Sequence, residues 1–176
     1  MRKTALTALC LLFAATAGFA DHDSAKKPPS PAAKAEATVN GKKITVNYSA
    51  PSKRGRAIMG ALVPYDQVWR TGANAATTLT TEADLMIGSL HVPAGKYSLY
   101  TIPGEKEWTL IVNKQTGQWG TDYDEKQDLG RVPMKVAALA SPREEMTIAL
   151  RPADGGKGTL AVEWEGTAAT VDVVAK

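Results

Sequence analysis

From Glu36 onward, apolar residues recur at every second position in one short run after another, and no long stretch carries a helical period. Period two places successive side chains on opposite faces of an extended chain, so each run reads as a strand with one face turned inward. "EATVNGKKITVNY" holds two such runs joined by Asn40-Gly41, residues that readily take the left-handed conformations a tight hairpin demands. "KYSLYTI" sets Tyr97, Leu99 and Thr101 on one face, and "EWTLIVN" does the same with Trp108, Leu110 and Val112. Met146, Ile148 and Leu150 alternate in "MTIAL", as do Leu160, Val162 and Trp164 in "TLAVEWE". A turn at Glu165-Gly166 is expected to lead into a closing strand, "ATVDVV". In "VPAGKYSLY", Pro93 donates no ladder bond and Gly95 tolerates positive φ, which predicts a tight turn launching a central strand. One helical turn is expected in "YDQVW", where Pro64 presets the entry. Short strands joined by Gly- and Pro-bearing turns predict an all-β fold, a single antiparallel β-sandwich of jelly-roll or immunoglobulin-like type with little helix.

The N-terminus sets the compartment. "MRKTALTALCLLFAATAGFA" has a basic start at Arg2 and Lys3, an uncharged apolar run from Ala5 to Ala17, and small residues at Gly18 and Ala20. This is the layout of a secretory signal cleaved before Asp21, and the run is short for a membrane span of roughly 20 apolar residues. Cys10 lies inside that run and follows Leu9 where a lipid-attachment signal carries a small residue, so a lipoprotein is not expected. The expected protein is exported, periplasmic or extracellular, with no transmembrane segment in its mature chain. Removing Arg2 and Lys3 leaves 19 basic against 18 acidic residues, so little bulk charge remains to steer nucleic acid, and none is expected as a partner. The one cysteine leaves with the signal, and with it any disulfide or thiolate. Residues 21–35, "DHDSAKKPPSPAAKA", lack apolar periodicity and read as a disordered Pro/Ala/Lys-rich lead, with the β-sandwich spanning 36–176.

A census of reactive residues narrows the chemistry. His22 falls in the lead, leaving His91 as the domain's one imidazole, and no Gly-x-Ser-x-Gly elbow supplies a serine nucleophile. One histidine without cysteine disfavours zinc. "TDYDEKQDLG" offers oxygens for calcium, but Lys126 and Gln127 stand where an EF-hand loop needs a ligand and its glycine, and Pro133 stands where it needs glutamate. A solvated acidic loop is the simpler reading, and neither metal nor cofactor is expected. Glu105, Glu107, Glu163 and Asp172 supply carboxylates for a glycoside hydrolase by residue type alone. "DGGKG" is glycine-rich like a phosphate loop, yet no helix follows it, and a hairpin loop suffices.

Two features stand above this background. "SAPSKRGR" gathers Lys53, Arg54 and Arg56 around Gly55, and arginine's planar fork suits carboxylate or phosphate. Trp69, Trp119 and Tyr123 lie on or beside turns, where aromatic rings either stack on a ligand or plug the end of a core.

The segments "PSKRGRAIMGALVPYDQVWRTGANAATTLTT" and "PAGKYSLYTIPGEKEWTLIVNKQTGQWGTDYDEKQDLGRVPMKV", in that order, resemble the bacterial domain-of-unknown-function family 2911. The resemblance covers roughly residues 46–136. It implies an exported bacterial protein and no particular activity. It also implies a hallmark set: Arg54, Gly55 and Arg56; Trp69, Arg70, Gly72 and Asn74; Tyr97; and Trp119, Gly120 and Tyr123. This chain has Ala50 where the family tends to carry arginine and Ala75 where it tends to carry glutamate, so one donor and one acid are missing from the pattern.

The expected function is therefore a non-enzymatic module of the bacterial envelope that binds a small molecule, a glycan or an envelope protein. Its candidate ligand-binding residues are Arg54, Arg56, Trp69, Arg70, Asn74, Trp119 and Tyr123. A carboxylate-dependent hydrolase acting on envelope glycans and a purely structural component are the alternatives. The same residues read equally as a structural corner, in which Gly72 and Asn74 supply turn conformations and Arg70 bonds stray carbonyls.

Overall fold

The fold was obtained as a computed structural model that describes residues 30–176. The expected signal peptide, residues 1–20, and residues 21–29 of the expected lead lie outside that range.

The first hairpin follows the alternation. β1 (Ala32–Val39) pairs antiparallel with β2 (Lys42–Ser49) around Asn40 and Gly41, whose φ angles of 50° and 76° are those a tight hairpin turn needs. β1 starts at Ala32, four residues earlier than the expected domain boundary at Glu36. Ala33, Ala35, Ala37 and Val39 form its inward face, and alanine alternating with alanine and lysine gives too little contrast to announce a strand. Along the chain follow β3 (Thr77–Thr81), β4 (Leu85–Ile87), β5 (Leu90–Val92), β6 (Gly95–Ile102), β7 (Glu107–Asn113), β8 (Asp128–Pro152) and β9 (Lys157–Ala175). They form one continuous, open, antiparallel sheet in the order β1-β2-β3-β6-β7-β8-β9-β4-β5. This all-β architecture is a meander whose β4–β5 hairpin has been carried to the far edge beside β9.

Two long strands turn this sheet into a sandwich-like body. The first part of β8 pairs with β7, but its register against β9 breaks between Ala138 and Arg143 and again between Arg143 and Thr147. Beyond these bulges, which bend a strand and raise its twist, β8 packs against β1 without pairing to it. The core lies between, and it contains Val46, Leu79, Leu99, Trp108, Leu110, Met134, Ile148, Val162 and Trp164. A smaller apolar cluster of Ala76, Tyr100 and Ile111 covers the opposite face of β6 and β7, under Ile102 and Tyr123.

Three local expectations change. The turn expected at Glu165-Gly166 is a bulge inside the continuous strand β9, with Glu165 at φ 53°. "YDQVW" forms turns without a helical turn, because Asp66 sits at φ 60° and its N–H bonds the Pro103 carbonyl at 2.8 Å. The first half of β8 carries Gly130 and Pro133 and has no strand signal in its sequence. Pro133 is tolerated opposite Thr109 because β9 joins β8 only from Lys135 onward, leaving one edge with no ladder to complete. Among the described residues the helical content is one 3-10 turn, Glu125–Gln127, and no helix is long and apolar enough to cross a membrane.

Leu110 is buried at the centre of β7, whereas Leu62 is half exposed on a loop. Leu110→Ala should lower the free energy of unfolding by about 2–5 kcal/mol, read from the urea midpoint. Leu62→Ala should change it by less than about 0.5 kcal/mol.

Candidate functional site

The chain leaves β2 at Ser49, makes the long loop 50–63, and reaches a sharp corner at Trp69–Asn74 before entering β3. Trp69 is stitched to the central strand by a reciprocal bridge: its N–H donates to the Thr101 carbonyl at 2.7 Å and its carbonyl accepts the Thr101 N–H at 3.0 Å. Its indole stacks on Trp164, with centroids 6.0 Å apart, and meets Trp108 edge-on at 6.1 Å. Thr71 then takes φ 51°, an unfavourable conformation for a β-branched residue. Several bonds hold it there. Its buried hydroxyl donates to the Thr101 hydroxyl at 3.0 Å and its carbonyl accepts the Thr77 hydroxyl at 2.8 Å. Gly72 follows at φ 152°, where a side chain would press on the Ser49 carbonyl and Thr77 Oγ1. Asn74, at φ 61°, closes the corner and donates from Nδ2 to Ser49 Oγ at 3.3 Å and the Ser30 carbonyl at 3.4 Å.

The second loop docks on this corner. The Gly120 N–H bonds the Asn74 carbonyl at 2.9 Å, and Ala75 and Trp119 form an isolated bridge. Gly120 is required here, since a Cβ would lie 2.6 Å from Arg70 Cδ and 2.7 Å from the Asn74 carbonyl oxygen. The Arg70 stem thus lies across a bare backbone, and its Nε donates to the Gly72 carbonyl at 3.3 Å.

The arginine loop is pinned from within. Arg56 donates from Nε to the Lys53 carbonyl at 3.0 Å and from one terminal nitrogen to the Ser52 carbonyl at 2.8 Å. The Arg54 N–H, with Arg54 at φ 51°, bonds Glu144 Oε1 at 2.6 Å. The Glu165 carboxylate accepts the Ile58 and Met59 N–H groups at 3.3 to 3.4 Å and lies 3.6 Å from Lys53 Nζ.

Between these loops lies a solvent-open cleft of about 630 Å³. Four of the seven candidate residues line it: Arg56, Trp69, Arg70 and Tyr123. Arg54, Asn74 and Trp119 do not; Asn74 holds the corner behind Arg70, while the exposed Trp119 adjoins the lining residue Gly120. Sequence reasoning missed Leu62, Val63, Val68, Tyr100 and Trp164 as wall residues. Leu62 and Val68 had a signal: apolar side chains in a loop with no strand alternation, which has no core face to offer them.

Among the described residues, no Asp, Glu or His lines the cleft, and both ionised side chains that line it are arginines. Among the described residues, the two Nη groups of Arg70 and one terminal nitrogen of Arg56 have no partner. Tyr123 is fully occupied. Its hydroxyl donates to Asp128 Oδ2 at 2.8 Å and accepts from Arg131 at 2.9 Å, while Arg131 also bonds Glu125 at 2.8 Å. Burial, then the bond to the Asp128 carboxylate, pushes the Tyr123 phenol up to about 12, so it serves as no base. Three of the four acids of "TDYDEKQDLG", Asp124, Glu125 and Asp128, are engaged by neighbouring residues, with Asp124 capping the Lys126 N–H at 3.0 Å. The carboxylates considered for hydrolysis lie outside the cleft: Glu105, Glu107 and Asp172 are exposed, and Glu163 is buried between Arg143 and Arg151. His91 pairs with Asp84 at 3.3 Å, away from the cleft. Among the described residues, no three His, Cys, Asp or Glu side chains are grouped to hold a metal ion.

A family model described as a protein of unknown function, DUF2911, matches residues 30–173. No curated protein and no solved structure matches the chain.

Two outcomes check this geometry. Gly120→Ala should displace the Arg70 stem and cost about 1–3 kcal/mol of stability in chemical denaturation, as overpacking does. The raised Tyr123 value means the neutral phenol is favoured by folding, so its contribution is complete below the ordinary value near 10 and is lost as pH rises through about 12. Tyr123→Phe should therefore flatten the fall in stability between those two values relative to the parent, followed by melting temperature in matched buffers.

Proposed function

The chain belongs to the DUF2911 family, whose description assigns no activity, and on that premise we propose that it is a non-enzymatic binding module of the bacterial envelope, exported by its N-terminal signal, whose ligand enters the cleft between the corner and the two loops. One observation carries this reading: among the described residues, an open cleft holds a guanidinium with two uncommitted Nη groups and no lining acid to neutralise it. Arginine forks left without a protein partner present paired donors to a planar or tetrahedral anion.

Further observations support it. The cleft volume falls within the roughly 300–1,000 Å³ usual for small-molecule pockets. The large hydrophobic side chains exposed among the described residues are Leu62, Val68 and Trp119, at 47%, 41% and 52%. Two of these line the cleft and the third stands beside its wall, and apolar surface gathered in this way marks an interaction site. Thr71 and Arg54 hold unfavourable backbone conformations next to it, which is where strain is commonly kept for function. Hydrolysis is less well supported, because Ser30 and Thr121 are lining hydroxyls without a base among the lining residues and no carboxylate pair faces the opening.

The candidate residues thereby divide into two groups that mutation separates. Arg70→Ala should lower the melting temperature of the free protein only slightly, since it removes one long hydrogen bond and a partly exposed stem resting on Gly120. It should abolish the stabilisation produced by any compound that binds the cleft, worth about 2.7 kcal/mol at a hundredfold excess over Kd. Asn74→Ala should lower the free protein's stability by about 1–2 kcal/mol, with Asn74→Gly recovering most of it because glycine accepts the left-handed backbone. Thermal-shift screening of a mixed library of carboxylates, phosphates and oligosaccharides against the parent and the three variants checks both. A purely structural corner would instead show Arg70→Ala melting as low as Asn74→Ala, with no compound stabilising the parent.

A further inference from the structure

Granted that the cleft binds a ligand, as proposed, its walls also specify what kind of molecule it holds. We infer that the ligand is an amphipathic anion: a carboxylate or phosphate head received by Arg70 and Arg56, carrying an apolar body that lies against Leu62, Val68 and Trp69.

The head group is set by donors and acceptors. Both Nη groups of Arg70 and one of Arg56 offer N–H donors without described partners, and no lining side chain is a carboxylate or an amide. Four hydroxyls remain as side-chain acceptors, and two are already used. Tyr123 is held by Asp128 and Arg131, and the Tyr100 hydroxyl receives Gln118 Nε2 at 3.0 Å. This leaves Ser30 and Thr121. A glycan brings many hydroxyl donors, each needing an acceptor when buried, and two side-chain hydroxyls are a poor match for them. An ammonium-bearing ligand would face two arginines and no compensating charge. A head rich in acceptors and poor in donors fits what the wall provides.

The body is set by the apolar lining. Leu62 and Val68 are exposed beside the buried Val63, and Trp69 is backed by its stack on Trp164. Covering that surface removes apolar area from water, which a small inorganic anion would not do. Aliphatic side chains also accept a flexible hydrocarbon without requiring the flat ring that a stacking platform selects.

Titration calorimetry of the full mature chain with four probes tests this: dodecanoate, dodecyl phosphate, dodecanol and tetragalacturonate, each kept below any micelle-forming concentration. The inference expects saturable one-to-one binding of dodecanoate or dodecyl phosphate, with the stronger of the two identifying the head group. It expects at least a tenfold loss with Arg70→Ala, a comparable loss for dodecanol with the parent, and partial rescue by Arg70→Lys. A separate Leu62→Ala, Val68→Ala double variant should weaken the alkyl probes while leaving weak binding of acetate or inorganic phosphate unaltered. Tetragalacturonate binding in an Arg70-dependent manner, with both alkyl anions silent, would overturn the amphipathic ligand and leave the cleft as a binding site. Alkyl anions binding Arg70→Ala as tightly as the parent would overturn it as non-specific adsorption. Silence from all four probes would overturn both the ligand class and the cleft reading.

Discussion

Everything at this end of the molecule depends on the reciprocal backbone bridge between Trp69 and Thr101. Two hydrogen bonds, of 2.7 and 3.0 Å, attach an irregular segment to β6, which is itself paired on both sides by β3 and β7. Each bond contributes only about 0.5–1.5 kcal/mol net. Their importance is positional: they fix where the Trp69 indole enters the core and therefore where Arg70, the next residue, must emerge. Thr71 takes its unfavourable φ because the chain has to turn away at once, and its buried hydroxyl reaches the same Thr101. The corner is thus an extension of the sheet, and the cleft is bounded by parts that do not need a ligand to assemble.

Holding the corner and facing the cleft are accordingly divided between neighbours in sequence. Gly120 commits its N–H to the Asn74 carbonyl and Asn74 its side chain to Ser49, while Arg70, lying across Gly120, commits one nitrogen to Gly72 and has two without partners among the described residues. Arg56 shows the same division on the other loop, with two nitrogens tying its own backbone and one left over. Glu165 and Glu144 are drawn into holding that loop from below through backbone N–H groups. These two acids are taken up in scaffolding and arginine nitrogens remain at the opening, which is why the cleft is locally cationic.

Much of this was legible in the residues. Alternation located the inward faces of β6, β7 and the second half of β8, and Trp108 and Trp164 are buried as their strands implied. Asn40-Gly41 made the hairpin, and Pro93 with Gly95 made the turn before β6, where the Tyr97 hydroxyl bonds the Pro93 carbonyl at 3.0 Å. What escaped did so for physical reasons. Alanines hid the start of β1, proline and glycine hid the first half of β8, and the bulge at Glu165 imitated a turn because both use a left-handed residue. At the site, residue type singled out Arg56, Trp69, Arg70 and Tyr123, which line the cleft, together with Arg54, Asn74 and Trp119, which do not. It gave no means of telling Arg70, which faces the opening, from Asn74, which lies behind it, since that depends on how two loops remote in sequence meet at Gly120. Leu62 and Val68 were passed over because a loop leucine or valine acquires meaning only when its neighbours in space are known.

The account stands on the corner being part of the rigid sheet. Residue-resolved hydrogen exchange of the Trp69, Thr101 and Gly120 amides in the unliganded protein measures this most directly. If the bridge organises the cleft, the Trp69 and Thr101 amides should exchange at the slow rate of the β6 and β7 core, opening only with global unfolding, and Gly120 should be protected nearly as well. Trp69 and Gly120 amides that exchange at the rate of an unstructured loop while β6 stays protected would contradict it, because a corner that opens independently of the sheet cannot hold Arg70 and Trp69 in a preformed wall.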